Sequence, residues 1–144
     1  MSGGQCLDIE AEGRDLHLEE LKALHAAKTG ALIRASMQIG AYSAGAHPDK
    51  SRYGALSEVG DLIGLAFQIM DDVLDVTQST DVLGKPAGSD QAQAKNTFPK
   101  LMGLEASKTE ATNLLNKAIG LLHDNQLATP TMIELATRAV HRTY

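Results

Sequence analysis

Phe67-Gln68-Ile69-Met70-Asp71-Asp72-Val73-Leu74-Asp75 decides how this chain reads, because it sets three carboxylates and an amide on one side of an otherwise apolar helix. At about 100° per residue, with Asp71 at zero, Asp75 lies near ~40°, Gln68 near ~60° and Asp72 near ~100°. Leu62, Ala66, Ile69, Met70, Val73 and Leu74 occupy roughly 180° to 300° of the same wheel. The pattern predicts a helix buried on its apolar side, with the acidic arc turned to solvent or to a cavity. Like charges within one turn repel by ~1 kcal/mol per close pair in water, and by more where water is excluded. A hard divalent cation relieves that repulsion, and Mg²⁺ takes one or two carboxylates together with phosphate oxygens of a substrate. A solvated acidic helix face is the plainer reading; Gln68 and the apolar flanks weigh against it.

Composition agrees with a helical fold. The chain has 144 residues, enough for one domain with a real core. Hydrophobic residues make up 43% but aromatics only 3%, so the core is expected to be aliphatic and Ala-rich. Only four prolines occur and β-branched residues seldom cluster, which favours an all-α chain. A net charge of −5 argues against nucleic acid as the main partner, since phosphate backbones select basic faces. Cys6 has no second cysteine to pair with and reads as packing. No run approaches the ~20 apolar residues of a membrane span. The opening Met-Ser-Gly-Gly-Gln lacks a basic region and an apolar stretch, so no secretion signal and a cytoplasmic location are expected.

Five or six helices are predicted. Residues 4–12 form a short helical piece stopped by Gly13, and residues 18–46 carry a long apolar periodicity interrupted by Gly30. His47-Pro48-Asp49 breaks the pattern, since proline disfavours helix in the residue before it. Residues 51–77 make the acidic helix, and residues 79–99 form a breaker-rich loop with Gly84, Pro86, Gly88 and Pro99. Two amphipathic helices follow, over residues 104–125 and 131–141. Thr129 is placed to cap the second ahead of Pro130, with Glu134 in its first turn.

The long loop is a natural lid or binding segment, and it carries Lys85, Asp90 and Lys95 just beyond the carboxylate helix. Lysines beside an acidic face suit a ligand with several anionic oxygens; the same residues also fit an ordinary solvated loop. Gln5 and Asp8, three apart, share a helix face. Lys28-Thr29-Gly30 sets an ammonium and a hydroxyl where glycine permits close backbone approach. On their own, Lys28 reads as a surface lysine and Thr29 as bonded back to its own helix. Glu10 and Glu12 read as a solvated edge, and Arg34, Arg138 and Arg142 as lone helix arginines.

Taken in order, Gly3-Gly4-Gln5-Cys6-Leu7-Asp8, Lys28-Thr29-Gly30-Ala31-Leu32-Ile33, Gly64 to Asp75, Leu83-Gly84-Lys85, Gly88-Ser89-Asp90 and Lys95-Asn96-Thr97-Phe98-Pro99 resemble the trans-prenyl diphosphate synthases, most of all the bacterial farnesyl type. The resemblance implies an all-α isoprenoid-synthase bundle. It also implies head-to-tail condensation of an allylic diphosphate with isopentenyl diphosphate, with Mg²⁺ on the diphosphate. By that resemblance Asp71, Asp72 and Asp75 match the second aspartate-rich motif, with Asp71 the direct ligand and Asp8 near the metal site. Lys28, Lys85 and Lys95 match diphosphate-contacting lysines, and Gln5 lies near the same site. Lys28, Thr29, Gln68 and Asp71 are the residues implied to act in catalysis.

Nothing in the chain resembles the family's first aspartate-rich motif, the Arg-Arg pair after it, or the residues that seat isopentenyl diphosphate. Residues 1–144 therefore look like the C-terminal half of a synthase domain. Such a half is expected to self-associate or to need a complementing N-terminal half, and to have little activity alone. Three classes stay open: a prenyltransferase half, a non-catalytic homologue that binds diphosphate, Mg²⁺ or a partner, and a helical remnant without a role. A terpene cyclase competes weakly, since cyclases commonly replace this motif with a mixed Asn-Ser/Thr-Glu site.

Overall fold

The computed structural model describes residues 1–45, 50–77 and 95–141. Among these residues there are seven α-helices, one π-helical turn and no strand. The helices are α1 (Ser2–Glu10), α2 (Leu18–His25), α3 (Ala31–Ser43), α4 (Lys50–Thr77), α5 (Phe98–Met102), α6 (Leu104–Asp124) and α7 (Pro130–Val140), with the π-helical turn at Ala26–Gly30 joining α2 to α3. Lys85, Asp90, the loop positions Gly84, Pro86 and Gly88, the break at His47-Pro48-Asp49, and Arg142 lie outside the described residues. No described helix is long and apolar enough to cross a membrane.

Helix α4 is the axis of the fold, flanked by α3 and α6, with α7 lying across α4 and α6. Its buried residues include Leu56, Val59, Ile63, Ala66, Ile69, Val73 and Leu74, so the predicted apolar side does face the core. Leu62 and Met70 on the same arc are only half-buried. Helix α6 answers with Ser107, Ala111, Leu115, Ala118 and Leu122, a stripe spaced by three and four residues. Ala66, Ala111 and Ala118 are fully buried, which lets the α4 and α6 backbones approach closely. The core is aliphatic and Ala-rich as composition suggests; Phe98 is its one fully buried aromatic ring among the described residues.

Several boundaries differ from expectation for local reasons. The stretch over residues 18–46 is not one α-helix, because five residues at Ala26–Gly30 widen into a π turn. The loop ends early: Thr97 accepts the Lys100 N–H at 3.4 Å and Pro99 sits in the first turn of α5, an N-terminal signal of the usual kind. Gly103, at φ +88°, closes α5 and opens α6. Thr129 does cap α7, accepting from the Met132 N–H at 3.2 Å. Glu134 lies beyond the first turn and instead pairs with Arg138 one turn on, at 2.7 Å. Arg34 pairs with Asp61 across α3 and α4 at 3.4 Å.

Candidate functional site

A cavity of about 330 Å³ opens between α1, α2, the π turn, α4 and the segment leading into α5. Each contributes polar groups to it: Asp8 from α1 and Glu12 from the turn after it, His25 from α2, Lys28 and Thr29 from the π turn, Gln68, Asp71 and Asp72 from α4, and Lys95, Asn96 and Thr97 from the segment before α5. Its floor is apolar, with Leu16, Leu21, Leu24 and Phe67. The acidic arc therefore faces a cavity, but only in part. Asp71 and Gln68 are half-buried on its wall, whereas Asp72 and Asp75 are almost wholly buried. Asp75 does not reach the cavity wall.

The two neighbouring aspartates have different surroundings. Asp72 Oδ1 accepts from Gln68 Nε2 at 3.3 Å, and Oδ2 accepts the buried Phe98 backbone N–H at 3.0 Å. Asp72 thus anchors the start of α5 to α4. Thr29 does not bond back to its own helix: its hydroxyl donates to Gln68 Oε1 at 3.1 Å, 39 residues away. Thr29, Gln68, Asp72 and Phe98 form one continuous chain of hydrogen bonds from the π turn to α5. Asn96 secures the other flank, donating to the Arg14 carbonyl at 2.7 Å and accepting the Leu16 N–H at 3.1 Å.

Lys28 is not a free surface lysine; it is two-thirds buried and ion-paired with Asp8. Lys28 and Thr29 also line a second, more apolar cavity of about 530 Å³ with Gln5, Cys6 and Leu32. Gln5 is exposed and belongs to that second cavity, so the structure separates it from Asp8 despite their shared spacing. Glu10 and Glu12 are both exposed as expected, and Glu12 also borders the polar cavity. Lys85 lies outside the described residues.

Mg²⁺ asks for oxygen donors in an octahedron. No three His, Cys, Asp or Glu side chains converge on one point among the described residues, so Asp8, Asp71, Asp72 and Asp75 do not form a protein-only cage. Mg²⁺ does not require one: it keeps one or two carboxylates and fills its octahedron with phosphate oxygens and water. Asp71 on the cavity wall, with Lys28 and Lys95 on the same cavity, fits a metal held largely by a diphosphate.

His25 is the site residue that sequence reasoning missed. It is buried on the cavity wall and stacks on Phe98, ring centroids 5.6 Å apart and planes 27° from parallel. Burial pushes its pKa down to about 4; the Asp8 and Asp71 carboxylates push the other way and the Lys28 ammonium adds to the fall. The ring is neutral at pH 7. Its signal was its spacing, since it continues the buried face of Leu21 and Leu24.

Comparison with known proteins bears on this arrangement of residues. The polyprenyl synthetase sequence profile matches residues 1–135. This chain belongs to the polyprenyl synthetase family. The farnesyl diphosphate synthase of Escherichia coli K12 is 43% identical over 147 residues, spanning 99% of this chain and 48% of that protein. The Geobacillus stearothermophilus farnesyl diphosphate synthase is 43% identical over 108 residues, or 75% of this chain and 36% of that one. A Helicobacter pylori geranyltransferase solved with magnesium and isoprenyl diphosphate superposes with a TM-score of 0.80 at 35% identity, covering 97% of this chain and 45% of its own. This polyprenyl synthetase chain spans about half the length, or less, of the curated relatives it matches.

Proposed function

We infer that this chain supplies one wall of a Mg²⁺-dependent prenyl transfer site, the C-terminal half of the synthase domain. The reaction is head-to-tail condensation of an allylic diphosphate with isopentenyl diphosphate. One observation carries the reading: a single cavity gathers Asp71, Gln68, Thr29, Lys28 and Lys95 from three separate stretches of sequence. When bound, Mg²⁺ would neutralise the diphosphate and stabilise the pyrophosphate that leaves as the allylic carbon ionises. Asp71 would hold that metal from the α4 side.

Lys28 and Lys95 would bind the diphosphate oxygens as point charges. Asp8 holds Lys28 in place until an anion competes for the ammonium. The Thr29–Gln68 hydrogen bond orients both dipoles toward the cavity, where they can steady positive charge developing on the allylic carbon. The apolar floor of Leu21, Leu24 and Phe67 excludes water from that carbon.

Calorimetric titration with inorganic pyrophosphate, with and without Mg²⁺, tests the diphosphate part of the reading. Binding should require Mg²⁺ and disappear in Asp71→Ala. Equal binding without Mg²⁺, or an unaffected Asp71→Ala, would overturn it. Prenyl transfer itself is tested with geranyl and isopentenyl diphosphates, where turnover is expected only after a complementing N-terminal half is added. Absence of turnover with that half present would favour a non-catalytic diphosphate-binding module.

A further inference from the structure

His25 has no role in holding Mg²⁺, yet it is buried on the wall of the same cavity. Among the described residues, its Nδ1 and Nε2 are the only buried side-chain polar atoms without a hydrogen-bond partner. Each buried polar group left unpaired is destabilising, by enough to make such groups rare in native folds. Stacking on Phe98 does not explain the choice of residue, because a phenylalanine would stack as well with no polar atom to satisfy. Spacing does not explain it either, since leucine would continue the Leu21–Leu24 face. The imidazole thus brings two nitrogens to this position for which the described residues supply no partner.

The surroundings define what partner is wanted. His25 is 8% exposed and its exposed part belongs to the wall that also holds Lys28, Asp71 and Lys95. A neutral imidazole offers one N–H donor and one bare nitrogen. The same wall carries the carboxylates of Asp8, Glu12, Asp71 and Asp72 beside the two ammonium groups, so an anion enters it together with a cation; a Mg²⁺-bound diphosphate is such a ligand, and its acceptor oxygens match the donor. Resting on the diphosphate reading given above, we propose that His25 is a ligand-binding residue, donating its ring N–H to a diphosphate oxygen held by Lys28 and Lys95. The contact forms as the ligand enters and the ring turns on Phe98 to bring a nitrogen to the cavity surface.

The test uses the full chain and two probes, inorganic pyrophosphate and a non-ionisable thiolo allylic diphosphate, each with Mg²⁺. His25→Phe keeps the stack and removes the N–H; His25→Gln restores a donor. Expected is roughly tenfold weaker binding of both probes by His25→Phe, partly recovered in His25→Gln. Undiminished binding of pyrophosphate by His25→Phe overturns the proposal, as does a loss confined to the allylic probe, which would place the ring against the hydrocarbon. Should His25→Phe not fold, ring ¹⁵N chemical shifts of the unmodified protein decide: a His25 signal that moves on adding Mg²⁺ and pyrophosphate supports the contact, and an unmoved one rejects it. Failure of the wider diphosphate reading looks different, because the unmodified chain would then bind neither probe.

Discussion

Gly64 of α4 and Gly30 of the π turn meet backbone against backbone: a Cβ built on Gly64 would lie 2.7 Å from the Gly30 Cα. One turn earlier on α4, a Cβ on Gly60 would lie 2.7 Å from the Arg34 Cα. These two positions, four residues apart, form a notch into which the π turn and α3 settle. The notch brings Thr29 within hydrogen-bonding distance of Gln68. Because the obstructing atoms are backbone, Gly64→Ala must separate the two elements, at about 1–3 kcal/mol. Urea denaturation should show that loss, and Mg²⁺-dependent pyrophosphate binding should weaken along with it. A Gly64→Ala protein with unchanged midpoint would refute the close-packing account.

Asp71 and Asp72 should respond oppositely to the same substitution. Asp72→Ala leaves the buried Phe98 N–H without its acceptor, for an expected cost of about 1–3 kcal/mol. Asp71→Ala, on the cavity wall, should change stability by less than about 1 kcal/mol while abolishing pyrophosphate binding. Denaturation and calorimetry on both variants check the division. Equal destabilisation of the two would contradict it.

Acid should destabilise the fold through His25. Its folded-state pKa is lowered from 6.5 to about 4, chiefly by burial. Between these values the unfolded chain binds a proton that the folded chain excludes, so stability falls as pH drops through that window, by about 3 kcal/mol when complete. His25→Phe removes this contribution. From pH 7 to 4.5 the variant should lose roughly 2 kcal/mol less stability than the unmodified protein. Parallel pH profiles would show that the ring is not buried neutral.

Replacing Lys28 separates charge from packing. Lys28→Met keeps the aliphatic stem against the cavity and removes the ammonium. Pyrophosphate affinity should fall by roughly tenfold or more, since hydrogen bonds to charged groups are worth about 1.5–3 kcal/mol. Stability should move by less than about 1 kcal/mol, because the partly exposed pair with Asp8 contributes little to it. Calorimetry at two salt concentrations should show a shallower salt dependence in the variant.

Self-association is expected from the apolar residues left at the surface. Leu7 and Ile9 on α1 and Leu32, Ile39 and Tyr42 on α3 are each about half exposed or more. An apolar groove of about 630 Å³ runs between α3, α4 and α7. Exposed apolar residues and an open apolar groove promote association. Sedimentation velocity should therefore show a concentration-dependent coefficient that falls toward the monomer value in Leu32→Glu/Ile39→Glu. A monodisperse monomer of the unmodified chain at high concentration would reject this.

The helical fold was legible because periodicity is a local property. Leu56, Val59, Ile63, Ala66, Ile69 and Val73 repeat at helical spacing, and burying that stripe requires only that some neighbour exists. The same wheel placed the acidic residues on one arc, and glycine at position 30 marked a close approach. What lay beyond the sequence was which neighbour covers which part of the arc. Asp71 and Asp72 both reach the cavity, but Asp72 is almost wholly buried because α5 docks its first N–H on it, and no spacing along α4 encodes that. The Thr29–Gln68 bond, the Lys28–Asp8 pair and the unpartnered ring of His25 likewise join residues from separate helices. Residue type and period determined that carboxylates, lysines and an amide were present on amphipathic helices. Only packing decided which of them share one cavity, since partners distant in sequence meet only when helices cross.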